Sequence, residues 1–175
     1  MKLRAWPRVA LGVSVLGLVL GFGSILRHPV IRDVSTCPED PPMLAAPGIS
    51  VDLSGPHSAA SLQAMETFHQ DLEPLLVEAR EPGDLEEVIR TAFRELGWEV
   101  RASPPSRAGE RLLHAVDTTR WLRFQDDVLV RLLLQGDRVR IDVRSASRVG
   151  KSDLGVNADR IRRFLRMLGG LLEGR

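Results

Sequence analysis

The chain has 175 residues, 43% of them hydrophobic, enough for one folded domain with a real core and too many for wholesale disorder. Its net charge of +1 conceals a segregation: residues 1–32 carry five basic and no acidic side chains, residues 33–100 three basic and fourteen acidic, and residues 101–175 sixteen basic and nine acidic. A single cysteine, Cys37, excludes an internal disulfide framework.

Residues 1–8 form a basic flank with Lys2, Arg4 and Arg8. Residues 9–26, "VALGVSVLGLVLGFGSIL", run for eighteen positions without a charge. As a helix this run covers about 27 Å, close to the roughly 30 Å hydrocarbon core of a bilayer. It is longer than a usual secretory h-region, and no Ala-x-Ala site follows, so an uncleaved single-pass anchor is expected. The basic flank favours an inside N-terminus, with residues 33–175 outside. Residues 27–57 are rich in Pro, Gly and Ser and read as an extended linker. Cys37 lies well beyond the apolar run and follows Thr36, so it does not read as a lipidation site.

Residues 58–175 read as an α+β domain, a small antiparallel sheet with helices packed on one face. Leu62, Met65, Phe68 and Leu72 have helical spacing, and "PLLVEA" (74–79) reads as a strand. The next helix has Asp84 at its cap, Glu87 completing a capping box, and Gly97 at its exit. "WEVRA" (98–102) and "RLLHAVDT" (111–118) read as strands, and Trp98 as a core residue. "DVLVRLLLQGDRVRIDVRSA" (127–146) predicts a hairpin about Gly136-Asp137. That turn sets Leu134 opposite Val139, Leu132 opposite Ile141 and Val130 opposite Val143 on the buried face. It sets Arg131 opposite Asp142 on the other. A last helix over 157–172 turns Ile161, Leu165, Leu168 and Leu172 to the core and Arg160, Arg162, Arg163 and Arg166 away from it.

Between hairpin and last helix lies "SASRVGKSDLGVN" (145–157), which contains Gly-Lys-Ser. A nucleotide-binding loop needs a glycine where Ser145 stands, and it needs a parallel sheet; neither condition is met, and no nucleotide is expected. The block 142–157, with "RFQDDVLVRLLL" (123–134) before it and "IRDVSTCPEDPP" (31–42) upstream, resembles the domain of unknown function 1499 family. The resemblance spans most of residues 31–170. It implies a small bacterial membrane-associated or envelope protein, here a single-pass inner-membrane protein with its domain on the periplasmic side, and it carries no activity with it. Cys37 departs from the family pattern, where an acidic or small polar residue is expected.

Two functions compete. One is a non-enzymatic module that binds or scaffolds an envelope partner. A variant of it rests on anionic lipid headgroups through Arg160, Arg162, Arg163 and Arg166; the alternative for those arginines is a solvated face paired with the acidic 66–99 segment. The other function is a small-anion site or enzyme built from Arg144, Ser145, Ser147, Arg148, Lys151, Ser152, Asp153 and Asn157, with Asp126 and Asp127 at its rim. Unpaired N–H groups at a helix start favour such an anion. The same groups can equally knit strand, turn and helix together, with Asp153 capping the helix and pairing with Arg148. Asp126 and Asp127 point to opposite faces of a strand and make no acid/base dyad. His28, His57, His69 and His114 lack metal-ligand spacing, and His114 with Asp117 and a serine lacks a nucleophile elbow. No cofactor is implied. No nucleic-acid partner is implied either, since exposed aromatics interleaved with basic residues are not evident.

Overall fold

A computed structural model describes residues 29–44, 53–79, 82–103, 109–120, 123–150 and 152–174. The expected membrane segment 9–26 lies outside them, and among the described residues no helix is long and apolar enough to cross a membrane.

Period-two sequence in the middle of the chain produces a meander of three strands: β4 (Glu110–Thr118), β5 (Gln125–Gln135) and β6 (Arg138–Ser147). Around it stand β1 (Asp33–Ser35), β2 (Leu75–Glu78) and β3 (Glu99–Val100). Every pairing is antiparallel, in the order β1-β6-β5-β4-β3, and β2 shares the outer edge of β6 with β1. The hairpin register is the expected one: Val130 faces Val143, Leu132 faces Ile141, and Arg131 faces Asp142. Leu134 does face Val139, but it is exposed, because residues 134–138 project into solvent as the hairpin tip.

Three helices, α1 (Ala59–Phe68), α2 (Pro82–Glu95) and α3 (Val156–Glu173), contribute to one core with one sheet face. Met65, Leu85, Val88, Ile89, Ile161, Phe164 and Leu168 meet Leu113, Ala115, Val128, Val130, Leu132, Ile141 and Val143 there. Phe93, Trp98 and Phe164 cluster in it with ring centroids 5.5 to 5.9 Å apart, Trp98 stacked on Phe164 and Phe93 tilted against both. Helix α2 starts at Pro82, two residues before the expected cap, so Asp84 sits in its first turn, where a carboxylate suits the helix dipole. Gly97 leaves the helix at φ 76°.

The described parts of residues 27–57 are not an extended linker. Val34 of β1 enters the main core, and Leu44 and Leu53 bridge each other and bury against Leu112, Leu129 and Ala146 on the opposite sheet face. Their apolar positions are too sparse for any periodicity, so composition alone suggests a loop. Buried apolar contacts and sheet hydrogen bonds hold residues 29–44 and 53–57 in place instead.

Candidate functional site at the strand-to-helix turn

Ser145 and Ser147 end β6 two residues apart, so both side chains point to the helix face. Asn157, in the first turn of α3, lies between them. Ser145 Oγ donates to Asn157 Oδ1 at 2.6 Å, and Asn157 Nδ2 donates to Ser147 Oγ at 3.0 Å and to the Arg32 carbonyl at 2.9 Å. One turn on, Arg160 donates to Asn157 Oδ1, to Ser145 Oγ (3.1 Å), to Asp117 Oδ2 (2.8 Å) and to Asp126 Oδ2.

Arg160 is therefore not turned away from the core as its neighbours suggest; it is fully buried. The helical stripe Asn157, Arg160, Ile161, Phe164, Leu168 is continuous, and its N-terminal third is polar because the sheet beneath supplies Ser145, Asp126 and Asp117. The i, i+3, i+4 spacing of Asn157, Arg160 and Ile161 is the signal that identifies Arg160 as inward.

The turn itself is closed in the same way. The Asp153 carboxylate accepts the backbone N–H of Gly155 (3.0 Å) and of Asn157 (2.7 Å), so it occupies the start of α3. Gly155 adopts φ 86° to make this possible. Ser152 Oγ donates to the Pro29 carbonyl at 3.3 Å, and the Asp153 N–H to the Ile31 carbonyl at 3.1 Å. Arg32 returns a bond to the Gly150 carbonyl at 3.2 Å. Lys151 lies outside the described residues.

Arg148 does not meet Asp153; on the other sheet face it grips Asp127 with two nitrogens, at 2.7 and 2.8 Å, and Gln125 with a third. His114 Nε2 adds a 2.8 Å contact to Asp127 Oδ1. Burial alone pushes the Asp127 carboxyl up, but the bonds from Arg148 and His114 outweigh it and hold it below the ordinary carboxylate range. Asp126 and Asp127 thus point to opposite faces, as strand geometry requires, and each neutralises an arginine.

Arg144 is a third closed unit. It pairs with Asp33 at 2.6 and 2.9 Å and donates to the carbonyls of Pro42, Leu53 and Gly55. Burial pushes the Asp33 carboxyl up, and Arg144, with His57 beside it, brings it below its usual value. The expected cross-strand pair Arg131–Asp142 is buried at 2.7 Å and reinforced by Arg140 and Asp40.

His57 lies 3.1 Å from Ser35 Oγ and 3.3 Å from Asp33 Oδ2, which has the composition of a hydrolytic triad. Its Nδ1 is not aligned to hydrogen-bond, Asp33 is already gripped by Arg144, and Ser35 is buried, so no substrate reaches the hydroxyl. Among the described residues no group of His, Cys, Asp and Glu is arranged for a metal ion. Shallow grooves lined by Val156, Asp159, Arg162, Arg163 and Arg166, and by Leu96, Met167 and Leu171, lie on the outer side of α3. Arg162 there is bound to Asp71 at 2.6 and 2.7 Å and to Asp159. With Arg160 buried, the expected four-arginine lipid face reduces to Arg163 and Arg166.

No curated protein matches the chain. The vertebrate conserved region of human METTL16 is a solved structure with 14% identity and a TM-score of 0.37, covering 55% of this chain and 98% of its own. Likeness at that level carries no argument. The family model for the protein of unknown function DUF1499 matches residues 33–168, a span that takes in every described strand and α3 as far as Leu168. The chain belongs to the DUF1499 family.

Proposed function

We propose that the chain is a membrane-anchored envelope protein whose domain is a non-enzymatic binding or scaffolding module. The observation that supports this most is the closure of the polar block. Ser145, Ser147, Asn157, Arg160, Asp126 and Asp117 satisfy one another, and Arg144 and Arg148 are each held by a carboxylate. A small anion at the start of α3 would need the N–H groups that Asp153 already takes. The block then fixes strand, turn and helix to one another, and its work is to hold a surface in shape.

The anchor is the uncharged run 9–26, with the basic flank inside and the domain periplasmic. The test uses the full chain in bacterial membranes. Retention after alkaline carbonate washing is expected, with a cysteine at exposed Leu134 labelled by an impermeant maleimide once only the outer membrane is opened. Release by carbonate, or labelling only after the inner membrane is broken, would overturn the reading.

A further inference from the structure

Three segments meet at one end of the sheet. Residues 29–32 are bound there to the 150–153 turn and to the end of β6. The 119–124 loop joins β4 to β5, and Thr118 pairs with Gln125 where it closes. The 148–155 turn leaves β6 just beyond Ser147, opposite Asp126.

Exposed apolar side chains gather at this end: Val30 (76% exposed), Val149 (58%), Leu154 (50%) and Phe124 (44%). Among the described residues the charge left without an ion pair beside them is positive on balance, Arg32, Arg120 and Arg123 against the single Asp153 carboxylate that caps α3. Arg120 and Arg123 are exposed and form no ion pair among the described residues, whereas Asp117, Asp126 and Asp127 are each bound to an arginine. Apolar and basic side chains interleaved on one surface are the pattern of a membrane-interface contact. Arg123 (φ 56°) and Leu154 (φ 53°), the two non-glycine residues in the left-handed region among the described residues, both belong to it.

The chain's own length selects the occupant. The uncharged run ends at Leu26, and Pro29 is already held by Ser152. Three residue steps span at most about 11 Å even when fully extended. The headgroup layer on each side of the hydrocarbon core is itself roughly 5–8 Å thick. A domain tethered so closely stays within a few ångströms of the headgroup layer even at full extension.

We infer that the surface formed by Val30, Arg120, Arg123, Phe124, Val149 and Leu154 docks on the anionic headgroup layer of the bilayer that holds the anchor. This rests on reading residues 9–26 as a span. It moves the lipid contact from the outer face of α3 to the opening of that helix. Val149 and Leu154 then face the lipid from a turn that the polar block behind it holds in place.

The test uses the full chain with Cys37→Ser and single cysteines in place of Val149, Leu154 or Leu134, each labelled with an environment-sensitive nitrobenzoxadiazole. Leu134 is the control, exposed at the far hairpin tip. The chain is reconstituted into vesicles of phosphatidylcholine with phosphatidylglycerol, and into phosphatidylcholine alone. Blue-shifted emission at 149 and 154, quenched by spin-labelled lipid, is expected, with 134 reporting water. The shift should weaken without phosphatidylglycerol and in Arg120→Glu/Arg123→Glu. If 149 and 154 report water while the chain survives alkaline carbonate, the anchor stands and the docking fails. Stripping by carbonate overturns the anchor and the docking with it. Equal quenching at 134, or binding of a soluble protein that leaves the lipid signal absent, also contradicts the docking.

Discussion

Arg160 and Asp126 form an ion pair inside the domain, the arginine fully buried and the aspartate 3% exposed. The pair joins the first turns of α3 to the start of β5, and Asp117 completes the arginine's charge-assisted bonds from β4. Removing one partner leaves a buried charge without its counter-charge. Arg160→Ala should therefore cost about 3–5 kcal/mol in denaturant unfolding. Arg160→Met with Asp126→Leu should recover a large part of that loss, because an apolar pair of similar volume carries no desolvation cost.

Asn157 has a different role, since it is neutral and bridges two serines, a carbonyl and Arg160. Asn157→Ala leaves the Arg32 carbonyl and the serine hydroxyls short of a partner. The expected destabilisation is about 1–3 kcal/mol for each group that water cannot reach. Hydrogen exchange should show it locally, with faster opening of residues 29–36 and of the first turn of α3.

Acid should unfold the domain through Asp33 and Asp127. Both carboxyls are held below their ordinary value in the folded chain. A depressed carboxylate stabilises the fold above its unfolded pKa of about 3.9, and this stabilisation is lost as pH falls through the folded value. The contribution of these two carboxylates should be constant near neutrality and be lost below about pH 4. Asp127→Asn should lower stability at neutral pH and flatten that acid limb; an unchanged acid limb would remove Asp127 from the account.

Leu154 holds a left-handed backbone while exposing half its surface. That conformation costs a non-glycine residue roughly 1–2 kcal/mol, of which glycine's greater freedom in the unfolded chain returns about 0.5–1. Leu154→Gly should make the domain more stable by up to about 1 kcal/mol and weaken its contact with anionic vesicles. A gain in stability with no loss of lipid contact would show that the side chain is not there for the membrane.

How much of this is legible in sequence depends on the range of the determining contact. The β5–β6 hairpin is local: Gly136-Asp137 sets a register that carries Arg131 onto Asp142 and Val130 onto Val143. Capping by Asp153 is equally local. The burial of Arg160 is not, because it depends on Asp117 and Asp126, 43 and 34 residues away. Its helical spacing from Phe164 hints at burial, but the run of neighbouring arginines masks it. The place of residues 33–44 and 53–57 is harder still, fixed by the Asp33–Arg144 pair across 111 residues and by carbonyls that any sequence possesses. Of the candidate site residues, all but Lys151 fall where structure and bonding are described, and each is bonded to nearby side chains or backbone.

The most direct test of that central claim is a thermal-shift panel on the purified chain with phosphate, nucleotides, dicarboxylates and divalent metals. A ligand present at a hundred times its dissociation constant would stabilise the fold by about 2.7 kcal/mol. With the polar block closed on itself, no specific shift is predicted for any of them. A shift with one anion that disappears in Arg148→Ala, in a variant that is otherwise folded, would contradict the account and make the turn a binding site.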